Sequence, residues 1–345
     1  MNKSEKVNYS EDFRLDHIEK IEIVEYKCFK NFDIDGMKKI NIISGSNNVG
    51  KTVLLEALLI ERTSSLISNI FHFIYSTLKT ISYNRSVLNE NFLNYMEEVN
   101  FESISNEERI SLKFKNKREL SDIEYKLIHK SELNNNKFIV YNKNNEIEIF
   151  SVDSFNGYTD ILVPHYINSS KPTTKELVNL YSYIQDKNIQ NKFLDYIHIL
   201  DKNISLIEPK LVNGEMILNV TINSKSYKSS ELGEGLSRYI EILTALLGNE
   251  NGSVFIDEIE NGIHYSKLLD IAKAIIEIVK KEGIQLFLTT HDKETVEAFA
   301  NASKEVGFKD ISSIKLIKDE DNKIVPIVRQ YDNFTYGIER GADMR

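Results

Sequence analysis

Ile40–Leu58 reads INIISGSNNVGKTVLLEAL. A short apolar run is followed by a turn rich in glycine and asparagine, then Lys51, Thr52 and apolar residues at helical spacing. The run has the length of a buried strand, and neither Pro nor Gly interrupts the helical pattern after Lys51. A strand delivering its chain through a glycine turn into a helix is the unit that decides the fold.

Outward from this unit the chain changes character twice. Upstream, HIEKIEIVEYKCFKNFDI alternates apolar and polar residues, the period of strands. Downstream, the helical pattern runs on through SSLISNIFHFIYSTL into polar, Asn-rich sequence. The pieces ISLKFKN, IEYKLIHK and KFIVYNKNNEIEIF then suggest an antiparallel meander. DILVPHYI is a further strand, and TTKELVNLYSYIQDKNIQNKFLDYIHIL reads as one helix capped by Thr173 or Thr174. KLVNGEMILNVTI is a hairpin about Asn213-Gly214. Beyond Gly235 helices and the strands SVFID and IQLFLTT alternate, which implies a parallel sheet with helices on its faces. SIKLIKDEDNKIVPIVRQY closes with a hairpin whose turn holds Asp319 to Asp321. The expected organisation is an N-terminal lobe over residues 1–60, an insertion of helix and antiparallel strand over 61–165, and a C-terminal lobe over 166–345.

Composition narrows the function classes. The 345 residues are 41% hydrophobic and 28% charged, enough for a sizeable core in a soluble protein. A net charge of -9 argues against a surface devoted to nucleic acid, although a local basic patch could coexist with it. Cys28 is the single cysteine, which excludes an internal disulfide framework and a Cys-rich zinc site. A reduced, cytoplasmic compartment is expected. The start MNKSEKVNYSEDF lacks the apolar stretch of a signal peptide, and LISNIFHFIYSTL is too short and too polar to cross a bilayer. No membrane partner is expected. Phe71, Phe73, Ile74 and Tyr75 in that segment are either a docking surface or the core of their own subdomain.

Gly45–Thr52, GSNNVGKT, fits G-x-x-x-x-G-K-[ST]. Glycines let the backbone of Gly45, Ser46, Asn47, Asn48, Val49 and Gly50 fold into a nest of N–H groups facing phosphate oxygens. The helix after the loop offers its positive end to the same anion. Lys51 reaches the β- and γ-phosphates, and Thr52 supplies a hydroxyl to Mg²⁺. The expected cofactors are therefore ATP and Mg²⁺. In SVFIDEIENG, apolar residues lead into Asp257 and Glu258. Asp257 is placed to hold the metal, directly or through water, and Glu258 to act as general base on the attacking water. In LFLTTHDKE a third strand ends at His291, which can donate a hydrogen bond to a γ-phosphate and report its presence.

GSNNVGKT, DEIENGIH and TTHDKE together resemble the ABC-type ATPase heads shared by SMC proteins, RecF and OLD-family ATPases. The chain is most similar to the small AAA-like ATPases of bacterial antiphage modules, such as the ATPase subunit of the PARIS system and the ATPase halves of OLD nucleases. The resemblance takes in the opening strands and the tail YDNFTYGIERGADMR, and covers the insertion least. It implies an α/β P-loop NTPase head: a mixed sheet with flanking helices and an antiparallel β subdomain, interrupted by a mainly helical insertion. It also implies a signature loop that acts on the nucleotide of a second subunit. Leu232–Leu236, LGEGL, stands where that loop should be, with Gly233 and Gly235 against the nucleotide. A plain helix N-cap turn explains the same glycines. Gly233 replaces the usual serine, so its hydroxyl is absent or comes from Ser229 or Ser230. Asn261–His264 resembles the loop that crosses the subunit interface, and His264 is equally a solvated helix-start residue. Gln185 and Gln190 are weak candidates for the glutamine linking nucleotide to the helical subdomain.

The resemblance implies a homodimer or higher homo-oligomer with ATP at the interface, acting as a switch on a separate effector, a nuclease or toxin, in phage defence. OLD nucleases carry a Toprim nuclease after the ATPase, whereas here the chain ends soon after the His291 helix. No Ser/His/Asp set, Cys/His set or His cluster is visible, so no intrinsic nuclease is expected. A DNA repair ATPase of RecF or SMC type is the first alternative. A stand-alone P-loop kinase or GTPase is the second.

Overall fold

The computed structural model describes residues 17–64, 100–105, 108–115, 124–128, 138–143, 146–151 and 165–341. Its centre is a six-stranded sheet. The strands are β3 (Ile40–Gly45), β9 (His165–Ile167), β13 (Ser253–Ile256), β14 (Gln285–Thr289), β15 (Ile311–Lys318) and β16 (Ile324–Gln330). Their order is β16-β15-β3-β14-β13-β9, and every pairing is parallel except β15 with β16. Every residue of β3, β13 and β14 is buried, as expected of parallel strands covered on both faces.

Side-chain alternation divides the core into two layers. Ile40, Ile42, Val254, Ile256, Leu286 and Leu288 face one way, while Ile43, Phe255 and Phe287 face the other. Phe255 and Phe287 are register partners in β13 and β14, and their rings stack with centroids 5.2 Å apart. Over them lie α1 (Lys51–Ser64) and the hairpin of β1 (Lys20–Tyr26) with β2 (Phe29–Asp35). The opposite face is covered by α4 (Glu234–Gly248), α5 (Leu268–Glu282) and α6 (Lys293–Val306). Burying each core Leu, Ile or Phe contributes about 1.5–3 kcal/mol, so the central strands are held where the site needs them.

α2 (Thr174–Asp186) and α3 (Gln190–Ile197) replace the single helix expected over 173–200. The break falls at Asn188, which adopts a left-handed φ of 54° and cannot continue an α-helix. Of the two candidate caps, Thr173 accepts from the Glu176 N–H, and the Glu176 side chain accepts from the Thr173 N–H in return. β10 (Ile204–Val212) and β11 (Glu215–Ile222) turn at Asn213-Gly214 with φ values of 52° and 83°, as the dipeptide predicts, and β12 (Lys225–Lys228) completes their sheet. α7 (Tyr331–Glu339) comes directly after β16.

Between residues 100 and 151 every described residue is strand, as the pieces ISLKFKN, IEYKLIHK and KFIVYNKNNEIEIF predict, so this part of an insertion expected to be mainly helical is antiparallel strand. The strands are β4 (Asn100–Ser105), β5 (Glu108–Lys115), β6 (Glu124–Ile128), β7 (Phe138–Lys143) and β8 (Glu146–Ser151). β4 lies in the Asn-rich stretch and pairs with β1, giving the sheet order β2-β1-β4-β5-β6, while β7 and β8 pair with each other. The expected helical continuation past Ser64, with Phe71, Phe73, Ile74 and Tyr75, lies outside the described residues. No described helix is long and apolar enough to cross a membrane.

Candidate active site

The C-terminal ends of β3, β13, β14 and β9 meet at one edge of the sheet, the side where open parallel sheets place ligands. β3 ends in Gly45, whose φ of 143° few side chains tolerate. A Cβ there would lie 2.5 Å from the Leu316 carbonyl oxygen on β15, so only glycine fits. Gly50, with φ of 94°, is equally confined: its added Cβ would lie 2.9 Å from Cys28 Sγ. The loop between them is thus pinned at both ends by β15 and by the β1–β2 turn. Lys51 opens α1 and folds back over the loop, its Nζ donating to the Gly45 carbonyl at 2.8 Å and the Ser46 carbonyl at 3.1 Å. Burial pulls the Lys51 ammonium below the usual lysine range, against the opposing pull of Glu258, Glu260 and Asp257.

Thr52 is next in the chain, and its Oγ1 lies 3.0 and 3.2 Å from the two carboxylate oxygens of Asp257. The Thr289 hydroxyl donates to Asp257 Oδ1 at 2.6 Å and accepts from the Glu258 N–H at 2.8 Å. Burial pushes the Asp257 carboxyl up, while its bonds from Thr289 and Thr52 pull it down. Three chain segments therefore converge on one carboxylate: the P-loop helix, the end of β13 and the end of β14. Hard oxygen donors in this arrangement suit Mg²⁺.

Glu258 has a φ of 48°, uncommon for a non-glycine residue with a long side chain. Such strain persists only where the surroundings impose it. Here the Thr289 hydroxyl, Arg238 and Asn261 do so. Arg238 Nη2 donates to the Asp257 carbonyl at 2.6 Å and more weakly to the Glu258 carbonyl at 3.4 Å, while Nη1 donates to the Asn168 carbonyl. Asn261 Nδ2 donates to Glu258 Oε2 and to the Ser169 carbonyl, both at 2.9 Å. The end of β9, at Asn168 and Ser169, is thereby tied to the Asp257–Glu258 corner. Gln185 and Gln190 instead flank the break between α2 and α3.

His291 leaves the end of β14 half-exposed, with Nδ1 2.9 Å from Glu260 Oε1. The same oxygen accepts from the His291 backbone N–H at 2.9 Å. At the start of α4, Gly233 is exposed, with open space where a Cβ would be. Gly235 is in close contact: a Cβ there would lie 2.4 Å from the Gly262 carbonyl oxygen. Ser229, one proposed source of the missing hydroxyl, is buried with its Oγ unpartnered among the described residues, so it does not present that hydroxyl to a second molecule. His264 is exposed and caps the turn that leads into α5, accepting from the Ser266 N–H, and Tyr265 beside it is 71% exposed.

The structure thus brings Lys51, Thr52, Asp257, Glu258 and His291 to one edge of the sheet. Arg238, Thr289 and Glu260 were not expected there, and Asn261, expected only as the start of the interface loop, joins them through Glu258. Arg238 reads in the sequence as one more polar residue of an amphipathic helix, and only the fold brings it 19 positions on to Asp257. Asp319, by contrast, closes a hairpin turn, its Oδ1 accepting from the N–H groups of Asp321 and Lys323. A cleft of about 330 Å³ lies between this hairpin, Lys30 and Asn48 of the P-loop.

Comparison with known proteins bears on the family and the fold. A family described as "AAA domain, putative AbiEii toxin, Type IV TA system" matches residues 40–297. An "ATP/GTP phosphatase" of Helicobacter pylori (strain ATCC 700392 / 26695) is 24% identical, over 95% of this chain and 99% of its own. The solved SMC head bound to the C-winged helix domain of ScpA superposes with a TM-score of 0.51 at 13% identity, over 91% of this chain and 98% of that one. That likeness shows a shared P-loop ATPase fold. The family match spans three quarters of the chain and runs from β3 through the P-loop, Asp257 and His291; the chain belongs to this AAA-domain family of ATPases.

Proposed function

We propose that this chain is a Mg²⁺-dependent ATPase that closes on ATP as a homodimer or higher homo-oligomer and thereby switches a separate effector. The observation that carries the reading is the meeting of Thr52, Asp257 and Thr289 beside a P-loop whose lysine lies within the nest. The nest of residues 45–52 and the start of α1 hold the phosphates, and Lys51 exchanges its loop carbonyls for β- and γ-phosphate oxygens. Thr52 and Asp257 would hold Mg²⁺, which neutralises the phosphate charge when bound. Glu258 takes a proton from the attacking water, with Asn261 fixing its carboxylate. His291 donates to the γ-phosphate. Exposed Gly233 and the start of α4 meet the nucleotide of a second copy, and Tyr265 lies at the same contact.

The physiological role we propose is in phage defence, with a nuclease or toxin as the effector. The family's description names a putative toxin of a type IV toxin–antitoxin system, which supports a role in a two-component module with a partner protein. The test is phosphate release from ATP, with GTP run in parallel, and the assembly size with and without nucleotide. Release that requires Mg²⁺, with a larger species on adding ATP to Glu258→Gln, is expected. A nucleotide-independent monomer would remove the switch.

A further inference from the structure

Glu260 is three residues past Asp257 and has no part in the hydrolysis proposed for this site. Its side chain is 9% exposed, unusual for a carboxylate facing a loop. Oε1 takes two donors from one residue, the backbone N–H and the Nδ1 of His291, each at 2.9 Å. Oε2 is buried without a partner of normal hydrogen-bond geometry among the described residues. Taking a carboxylate out of water costs several kcal/mol unless something needs it there. What it holds is the His291 ring. With Nδ1 occupied by an acceptor, Nδ1 carries the proton of the neutral imidazole, and Nε2 is left on the opposite side of the ring. Because Oε1 binds backbone and ring together, χ1 and χ2 of His291 are fixed relative to its own main chain.

We infer that Glu260 is a positioning residue that fixes the orientation and tautomer of His291, so that Nε2 faces the γ-phosphate and donates to it once the ring, held between two anions, takes up a second proton from solvent. The inference rests on the ATPase reading for its consequence, but not for its geometry.

Two measurements test it. The first reads the ring directly. Nitrogen-15 NMR of histidine-labelled, nucleotide-free wild type at pH 8.5, with the signal assigned by its loss in His291→Ala, should show Nδ1 protonated and Nε2 bare. A ring protonated at Nε2, or exchanging freely between tautomers, overturns the inference. It needs no destabilised variant and no activity. The second is a double-mutant cycle on turnover. Glu260→Ala should lower kcat about 10- to 100-fold with ATP affinity within about twofold. In the His291→Ala background it should cost nothing further. Glu260→Gln should recover part of kcat, because two donors at one position select the amide oxygen over its nitrogen and keep the ring oriented, while the charge that supports the imidazolium is lost. Losses that multiply in the double variant would show that Glu260 acts apart from His291. A wild type that does not hydrolyse ATP, but whose ring is protonated at Nδ1, would remove the function and leave the positioning intact.

Discussion

Arg238→Met is the substitution whose cost the structure specifies most fully. The guanidinium is 3% exposed and joins three elements. It donates to the Asp257 carbonyl at the end of β13, to the Asn168 carbonyl after β9, and to Glu241 Oε2 one turn on in α4, the last at 3.1 Å. Met fills much of the alkyl volume, so the loss is mainly polar. Each hydrogen bond from a charged donor is worth roughly 1.5–3 kcal/mol. Two carbonyl bonds give a central figure of about 4 kcal/mol. Glu241 tempers the loss at low pH, because burial pushes its carboxyl up to about 7 and it can go neutral once its partner is gone. At about 2 °C per kcal/mol for a chain of this size, Tm should fall by roughly 8 °C, and further at pH 8 than at pH 6. Turnover should suffer beyond stability, since the lost bonds hold the backbone that aims Asp257 and Glu258. At 20 °C, where the variant stays folded, kcat should drop about tenfold or more. ATP affinity in the absence of Mg²⁺ should hold, because the P-loop keeps its contacts. The assays are thermal unfolding by circular dichroism at both pH values and steady-state phosphate release. A Tm within 2 °C of wild type together with kcat within twofold would refute the reasoning.

Three further outcomes are expected. Lys51→Ala should abolish tight ATP binding measured by calorimetry with Mg²⁺, since Lys51 carries the ammonium that donates into the loop nest. Glu241 has a folded-state pKa of about 7 against an ordinary 4.5, so the stability it contributes is present in full below about pH 4.5 and is lost as pH rises through 7; Glu241→Gln should remove up to roughly 3 kcal/mol of that decline in urea unfolding at pH 5 and pH 8. The purified chain should not cleave plasmid, single-stranded DNA or tRNA in Mg²⁺ or Mn²⁺, because Asp319 is engaged in a turn and Asp257 in the nucleotide site; cleavage lost in Asp319→Ala/Asp321→Ala would make this chain the effector.

How much was legible from sequence depends on which interactions are local. GSNNVGKT could be read because a nest, a lysine and a hydroxyl must succeed one another along the chain. Asn213-Gly214 could be read because a two-residue hairpin turn has few solutions. Asp257 and His291 could be read because each ends an apolar strand. Arg238, Thr289 and Glu260 could not, since their partners lie 19, 32 and 31 residues away and nothing at their own positions announces it. Asn188 split an expected helix because helical periodicity continues across a single left-handed residue. β4 was missed because NFESIS carries few apolar residues for a strand that lies inside its sheet, between β1 and β5.

The central claim is that the edge formed by Thr52, Asp257 and Glu258 hydrolyses Mg²⁺-ATP. Its most direct test is phosphate release by wild type and Glu258→Gln at saturating ATP, each protein first shown to bind ATP with similar affinity. Glu258→Gln spares Asp257, the proposed metal ligand, and removes the proposed base, and loss of a positioned base typically costs about 10²–10⁴-fold. We predict Mg²⁺-dependent release by the wild type and a rate at least about 100-fold slower in the variant. Equal rates, or release by the wild type that continues in excess chelator, would contradict the account.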